Sequence, residues 1–319
     1  MALFCLTSEF PASKMGDEQS PKGTSIMTDY SIGHKQIDGW IGGVSYEVAF
    51  WSSYLAQEQH RTQILSHLSS KEDIAQPLGS FDPAVLNEDF KVLDVGCGMA
   101  YHNCPYIDGH KIDLHYVDPL AFFYNDIAAS KGVDLPKIEF AMVEYLSSFY
   151  EKGSVSLVLI QNALDHCFQP VRGIIESMKL LKTGGTLYLF HHKNEAEHEN
   201  YIGFHQFNID MKDGALTIWN RESSYNINEL LAGCARIEAE EINDHIRARI
   251  IKDNDDIPAT QTDDVNVLAE QIMYCISHLM DPGYTRKIQQ AARRQNMLHK
   301  VASLVPSGLK EKYKAMKHG

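Results

Sequence analysis

The feature that most constrains this chain is a short apolar strand that ends in a glycine turn. Residues 91–100 read Lys-Val-Leu-Asp-Val-Gly-Cys-Gly-Met-Ala. The apolar positions predict a buried strand that brings Asp94 to the carboxyl edge of a sheet. Gly96 and Gly98 then let the backbone turn sharply and approach a ligand, because neither residue has a Cβ. We therefore expect a ligand site at this edge.

A second acid follows where the next strand is expected to end. Asp118, in Val-Asp-Pro, lies 24 residues after Asp94. A carboxylate in that place can accept hydrogen bonds from both hydroxyls of a ribose, so the two features together indicate a nucleoside site. A dinucleotide is disfavoured, because Tyr101 stands where the GxGxxG fingerprint needs its third glycine. Asp94 would also repel a pyrophosphate, whereas it suits the cationic amino end of S-adenosylmethionine.

Strand and helix patterns alternate along the middle of the chain, which predicts a Rossmann-like, doubly wound α/β fold. We expect a mostly parallel, seven-stranded sheet with helices on both faces, an inserted β-hairpin cap, and helical additions at the N- and C-terminal ends. The segments predicted as strands after the first are 111–117, 137–143, 155–161 and 185–191, with an antiparallel pair at 236–242 and 246–252 and a cap hairpin at 204–209 and 215–220.

Three motifs in order resemble those of the class I S-adenosylmethionine-dependent methyltransferases. Residues 91–100 are similar to the family's motif I, hydrophobic-hydrophobic-Asp-x-Gly-x-Gly-x-Gly, with Ala100 at the last glycine. Residues 155–166 resemble the family's fourth strand and the turn after it. Residues 180–189, Leu-Leu-Lys-Thr-Gly-Gly-Thr-Leu-Tyr-Leu, resemble the entry to the fifth strand. The resemblance implies S-adenosyl-L-methionine as cofactor and S-adenosyl-L-homocysteine as product.

The resemblance also implies which residues surround the methyl donor. Carried over by position, they are Asp94, Gly96, Cys97 and Gly98 around the methionine part, Asn162 and Ala163 near the amino group, Asp118 at the ribose, and Pro119, Leu120, Met142 and Glu144 at the adenine.

Several histidines and one acid lie close together where the fourth and fifth strands are expected to end. The candidate catalytic residues are Asp165, His166, His191 and His192. Transfer of a methyl group to a hydroxyl requires loss of a proton, so we expect one of these histidines to act as general base. We predict no metal site, although the pair at 191–192 with Asp165 and Glu195 is also compatible with a divalent ion. His205, in the hairpin, is more typical of a surface histidine.

These residues favour a methyltransferase that acts on an oxygen of a small molecule, sugar or glycan. The insertion 192–220 mixes polar and aromatic residues, which suits a polyhydroxylated ligand. The alternative is a catalytically inactive protein of the same fold that keeps the donor pocket and serves as a regulatory or scaffold subunit. Phe50, Trp51 and Tyr54 have helical spacing, and we expect them to pack a helix on the sheet rather than to cover substrate.

The charge of the chain is uneven. The formal net charge is −13, so we predict no nucleic-acid partner. Nine basic residues and one acid lie within 286–317. Such a tail can pack on its own acidic domain or contact an anionic membrane surface or an acidic partner.

Cysteine usage and hydropathy bear on location. The six cysteines form no CxxC pair, and no apolar stretch is long enough to cross a bilayer. We therefore expect reduced thiols in a cytoplasmic protein, with peripheral contact at the inner membrane surface as an option. The predicted organisation is a loosely ordered segment (1–43), a methyltransferase domain with an N-terminal helix (44–252), and an acidic linker followed by a basic helical extension (253–319).

Overall fold

A computed structural model describes residues 34–69, 89–107, 109–259, 265–290 and 294. A central six-stranded sheet runs through the molecule. Its strands are β1 (Lys91–Val95), β4 (Asp113–Val117), β5 (Val155–Gln161), β6 (Leu181–His192), β10 (Ala235–Ile242) and β11 (His245–Lys252), and the two short strands β2 (Tyr106–Ile107) and β3 (His110–Lys111) form a separate hairpin.

The order of the strands is β10-β11-β6-β5-β1-β4. The chain winds outward from β1 in both directions, and β4, β1, β5 and β6 are parallel. β11 is antiparallel to both of its neighbours. This is the doubly wound arrangement, in which ligands bind beyond the carboxyl ends of the central strands. The predicted α/β fold class is confirmed, and so is the closing antiparallel pair.

The third predicted strand, at 137–143, is reduced to a single bridge, so the sheet has six strands instead of seven. Of the segment 137–143, only Glu139 pairs in parallel with Val117, through the hydrogen bonds of its N–H and carbonyl groups. The chain then leaves the sheet and forms a 3-10 helix at Val143–Ser148. Val143 and Leu146 turn inward and pack in the main core together with Ile174. Burying these apolar side chains outweighs the further strand hydrogen bonds that an extended segment would make.

Helices flank the sheet. They are α1 (His34–Ala56), α2 (Glu58–Ser69), α3 (Ala121–Ser130), α4 (Pro170–Leu180), α5 (Glu195–His198), α6 (Ile227–Leu230) and α7 (Val265–Leu279). The predicted helix 171–181 is thus found within one residue, and Pro170 opens it at a position where proline costs no hydrogen bond.

The first helix begins ten residues earlier than the sequence suggested. Residues 34–43, expected to be loosely ordered, form the first turns of α1. Ile37, Trp40, Ile41 and Val44 recur at helical spacing and are buried. Each such side chain contributes roughly 1.5–3 kcal/mol when it is fully buried, which compensates for the glycines that interrupt the pattern. Residues 1–33 lie outside the described part.

The insertion after β6 forms a second, small sheet. It consists of β7 (Asn208–Lys212), β8 (Ala215–Trp219) and β9 (Ser224–Asn226), all antiparallel. The predicted hairpin is therefore present with one additional strand, but its first strand begins at Asn208 rather than at 204, and residues 204–207 lie before the sheet. Ile209, Leu216 and Ile218 belong to the same core cluster as Ile246 and Ile250 of the central sheet. The cap is therefore fixed to the domain by shared apolar packing.

The C-terminal part is described only in its first half. Residues 282–290 are helical, whereas most of the basic tail predicted at 286–317 lies outside the described residues. Among the helices that the structure describes, none combines the length and the apolar character needed to cross a membrane.

Candidate active site

A cavity of about 320 Å³ opens at the carboxyl ends of β1, β4 and β5. Its size lies at the lower end of the range found for small-molecule sites, roughly 300–1,000 Å³. The turn after β1 forms one side, the residues after β5 form a second, and α1 covers the top. Strand topology brings the two turns together, because parallel strands place their carboxyl ends at one edge, whereas α1 reaches them through tertiary packing.

The turn after β1 requires glycine at two positions. Gly96 has φ +70° and Gly98 has φ +55°. A Cβ at Gly96 would lie 2.4 Å from the Cβ of Ala163, and one at Gly98 would lie 2.6 Å from Cζ2 of Trp51. Both the backbone conformation and the space exclude a side chain. The prediction of a tight turn from these glycines therefore agrees with the geometry.

Asp118 lies at the end of β4 and lines the cavity. Its Oδ2 accepts the N–H of Gly98 at 3.1 Å, and its Oδ1 accepts the N–H of Leu120 at 2.8 Å. Burial raises the pKa of this carboxyl to about 7, although both backbone hydrogen bonds oppose the rise. The glycine turn and the second acid, predicted separately from the sequence, are thus directly linked.

Asp94 has a different position from the one implied by the resemblance. It is buried below the turn, does not line the cavity, and accepts a hydrogen bond from Asn103 Nδ2 at 2.9 Å. Burial raises the pKa of Asp94 to about 6, although the hydrogen bond from Asn103 opposes the rise. In this structure Asp94 therefore contacts Asn103 and not the cavity.

Glu144 also makes a structural contact that the sequence did not reveal. It lines the cavity with Met142, but its Oε1 accepts the N–H groups of Phe168 and Gln169 at 2.9 and 3.2 Å. These two residues precede α4, so the carboxylate satisfies backbone donors at the start of that helix. Burial raises the pKa of Glu144 to about 7.

The other residues that were predicted to surround the methyl donor lie around the cavity. Cys97, Pro119, Leu120 and Ala163 line it. Asn162, which also lines it, has φ +45° and accepts the backbone N–H of His192 through Oδ1 at 2.9 Å. That bond joins the ends of β5 and β6.

At the opposite end of the cavity, one carboxylate and two histidines converge. Asp165 Oδ2 lies 2.9 Å from Nδ1 of His205 and 3.5 Å from Nε2 of His166. The two histidine nitrogens are 3.2 Å apart. Burial raises the pKa of Asp165, but the neighbouring histidines outweigh this effect and lower it to about 2. We refer to Asp165, His166 and His205 as the Asp-His-His cluster.

The two histidines at the end of β6 point in opposite directions, as strand alternation requires. His192 is exposed at the cavity wall. His191 is 1% exposed, does not line the cavity, and has Nδ1 4.0 Å from Asp165 Oδ1. Burial lowers its pKa to about 4. Of the predicted bases, His191 is therefore the one that the structure separates from the cavity.

Several residues at the cavity were not identified from the sequence. His205 was expected at the surface, yet the strap between α5 and β7 carries it to Asp165. Phe50 and Trp51 of α1 line the cavity rather than only packing on the sheet. Trp40 stacks on Phe204, with ring centroids 5.3 Å apart. The apolar spacing of residues 37–48 was the signal that could have extended α1 to Trp40.

Comparison with known proteins gives structural matches only, since no protein-family profile and no curated protein matches the chain. A T. thermophilus 16S rRNA N2 G1207 methyltransferase with AdoMet and guanosine is 13% identical, covering 54% of this chain and 37% of its own, with a TM-score of 0.34. A putative methyltransferase from Haloferax volcanii, in complex with the Trm112 methyltransferase activator, is 13% identical. The match covers 65% of this chain and 98% of that one, with a TM-score of 0.39. A SAM-dependent methyltransferase from Aquifex aeolicus is 16% identical. The match covers 59% of this chain and 97% of that one, with a TM-score of 0.35.

This chain thus spans little more than a third of the RNA methyltransferase and nearly all of the other two. The order and direction of the strands in this protein establish the fold.

One expectation is corrected by these matches. The exclusion of nucleic-acid partners is wrong, because the solved structures similar to this chain include an rRNA methyltransferase. Net charge sums the whole surface, whereas an acceptor meets only the field around the cavity. Net charge alone was therefore insufficient ground for the exclusion.

Proposed function

We propose that this protein transfers a methyl group from S-adenosyl-L-methionine to an acceptor bound in the same cavity. The observation that carries the proposal is the link between the glycine turn and the Asp118 carboxylate, at one end of a cavity whose other end holds the Asp-His-His cluster. The proposed nucleoside site and a group of proton-accepting side chains therefore line the same cavity. That combination is what methyl transfer to a hydroxyl requires.

In this proposal the donor extends along the carboxyl edge of the sheet. Asp118 binds the ribose hydroxyls, and Met142 contacts the adenine. The methionine part follows the turn at Gly96 and Cys97 toward Asn162. This orientation directs the sulfonium methyl group toward the Asp-His-His cluster.

The acceptor is proposed to be a hydroxyl of a small molecule or sugar. Attack by its oxygen on the methyl carbon breaks the carbon–sulfur bond, and the electron pair of that bond remains on sulfur. The hydroxyl proton leaves at the Asp-His-His cluster, whose histidine nitrogens are basic groups at the cavity wall. Assistance of this kind contributes roughly 10²–10⁴-fold when the acceptor is a weak nucleophile.

A second chamber of about 740 Å³ supports an acceptor that extends beyond the reacting atom. It shares Trp40, His166 and Phe204 with the inner cavity and continues to Arg221. The stacked rings of Trp40 and Phe204 are mostly buried and contribute to the wall of both spaces.

Donor binding provides the first test. S-adenosylmethionine and S-adenosylhomocysteine should raise the melting temperature of the purified protein, whereas NAD should not. Asp118→Ala should abolish the rise, and Asp126→Ala, a matched change of an exposed acid on α3, should preserve it. A rise with NAD alone, or an unchanged response in Asp118→Ala, would refute the nucleoside assignment.

The acceptor class is tested with labelled donor. Transfer of label to a panel of small hydroxyl compounds, nucleotide sugars and glycans is expected, with RNA and protein included as competing acceptors. Label in RNA or protein alone would overturn the small-molecule proposal and leave donor binding intact. Donor binding without transfer to any acceptor class would favour the regulatory alternative.

A further inference from the structure

Three metal-binding atoms in the Asp-His-His cluster lie at the mutual distances of ligands around one ion. The separations are 2.9 Å (Asp165 Oδ2 to His205 Nδ1), 3.2 Å (His205 Nδ1 to His166 Nε2) and 3.5 Å (His166 Nε2 to Asp165 Oδ2). In the plane of these three atoms, the point equally distant from all of them lies about 1.9 Å from each. Metal–ligand bonds are slightly longer, about 2.0–2.2 Å, so an ion bound to all three atoms would lie just above that plane.

Hydrogen bonds satisfy this arrangement only in part. A hydrogen on His205 Nδ1 can be directed at Asp165 or at His166, but not at both. If both facing nitrogens carry protons, Asp165 Oδ2 accepts one at 2.9 Å and the other only at 3.5 Å, and the two protonated nitrogens lie 3.2 Å apart. A divalent cation interacts favourably with all three atoms at once.

The ligand set indicates the class of the ion. Two imidazole nitrogens with one carboxylate oxygen suit first-row transition metals such as Zn²⁺ or Fe²⁺, whereas Mg²⁺ and Ca²⁺ prefer oxygen ligands throughout. All three residues line the cavity. Three protein ligands leave at least one coordination position open, as in catalytic rather than structural sites.

A buried histidine supplies a second, independent observation. His191 is 1% exposed, and within the described part of the protein neither of its ring nitrogens has a hydrogen-bond partner. Its Nδ1 lies 4.0 Å from Oδ1 of Asp165, the oxygen that faces away from the two histidines. Leaving such a group unpaired is unfavourable, because it loses its hydrogen bonds to water without a replacement. Carboxylate ligands are commonly held by an outer hydrogen bond, and His191 is placed to donate one when Asp165 turns toward an ion.

We infer that Asp165, His166 and His205 bind one divalent transition-metal ion, with His191 as a positioning residue behind Asp165 and an open coordination position facing the methyl-transfer cavity. This set differs from the one considered in the sequence analysis, since His205 and His166 replace the pair at 191–192 and Glu195.

The consequence for the reaction rests on the proposed function. The acceptor oxygen binds the ion, loses its proton to water, and attacks the methyl carbon, while the carbon–sulfur electron pair remains on sulfur. Because the ion takes the lone pairs of both histidines, it replaces the imidazole as the group that promotes loss of the proton. Binding of the ion itself requires neither donor nor acceptor.

The experiment is a metal titration of the full-length, tag-free, metal-stripped protein in the absence of donor. Co²⁺ should bind at one equivalent and give visible absorption bands, which added Zn²⁺ removes and Mg²⁺ does not. Asp165→Asn, His166→Gln and His205→Gln should each weaken Co²⁺ binding at least about 100-fold. His191→Phe should weaken it by roughly 10–100-fold, the usual effect of losing an outer hydrogen bond to a ligand.

His198→Gln is the matched control, because His198 is an exposed histidine on α5 outside the cluster. Its Co²⁺ affinity should equal that of the unaltered protein. Absence of saturable binding, or equal binding by the cluster variants and the control, would overturn the inference. The melting-temperature response to S-adenosylmethionine shows that each variant is folded. A response without metal binding refutes only the metal site, whereas metal binding without the response refutes only the donor assignment.

Discussion

The two ends of the cavity are built in different ways. At the proposed donor end, the glycine turn at 96–98 and the Asp118 carboxylate come from two strand ends and are joined by a hydrogen bond. At the acceptor end, Asp165 and His166 follow β5, whereas His205 comes from the cap. The donor end thus depends on backbone geometry and the acceptor end on side chains from separate elements. A change at one end should therefore leave the other largely intact.

Asp165→Asn should give the largest effect at the acceptor end. It removes the carboxylate charge that holds both histidines of the Asp-His-His cluster, so turnover should fall about 10²–10⁴-fold, the range for lost proton-transfer assistance. Donor affinity should change less than about threefold, because Asp118 is untouched. Turnover with labelled donor and donor affinity by calorimetry measure the two effects.

Asp213→Asn provides the matched control for this substitution. Asp213 is exposed in the turn between β7 and β8, with φ +51°, which asparagine tolerates. Its turnover should equal that of the unaltered protein. A parallel loss of donor affinity and turnover in Asp165→Asn would show that the two ends are one coupled unit.

Gly98→Ala should have the converse effect at the donor end. The added Cβ would lie 2.6 Å from Trp51, so the turn or α1 must shift, and donor affinity should fall about 100-fold, equivalent to about 3 kcal/mol. Gly132→Ala separates the cost of positive φ from this contact, because Gly132 has φ +65° and open space around its Cβ position. Gly132→Ala should lower the melting temperature but retain donor affinity. Equal donor affinity in both variants would contradict the close packing of the turn.

The smallest of these effects is a pH dependence of donor binding. Burial raises the pKa of Asp118 to about 7, so this carboxyl takes up a proton as the pH falls through neutrality. The ionised form is the better acceptor for ribose hydroxyls, and donor affinity should therefore decrease about tenfold between pH 8 and pH 6. Calorimetry at pH 6, 7 and 8 measures it. Asp118→Asn should bind more weakly but with a flat profile, and the same slope in that variant would assign the titration to another group, such as Asp94.

The donor end was predictable because its constraints are local. The glycines at 96 and 98 are required by their own backbone angles, and the strand 155–161 was predicted with the bounds that β5 has. The prediction was incomplete where a neighbour decided the outcome. Glu144 was assigned to the adenine, but its carboxylate accepts the N–H groups before α4, and no local pattern indicates that contact.

The acceptor end was less predictable because it depends on contacts across the chain. His205 is 40 residues from Asp165 and was interpreted as a surface histidine, since a hairpin pattern does not show what the hairpin covers. The two adjacent histidines, His191 and His192, were equal candidates until strand pairing buried one and exposed the other.

By itself, the sequence determined the alternation of strands and helices, the glycine turn and the acid that binds to it. These features follow from hydrophobic periodicity and from backbone angles that only glycine adopts without strain. Only the tertiary structure decided that the third predicted strand becomes a bridge, that α1 covers the cavity, and that His205 completes the Asp-His-His cluster. Those outcomes depend on burial and on distances between residues far apart in the chain, which periodicity and local spacing do not encode.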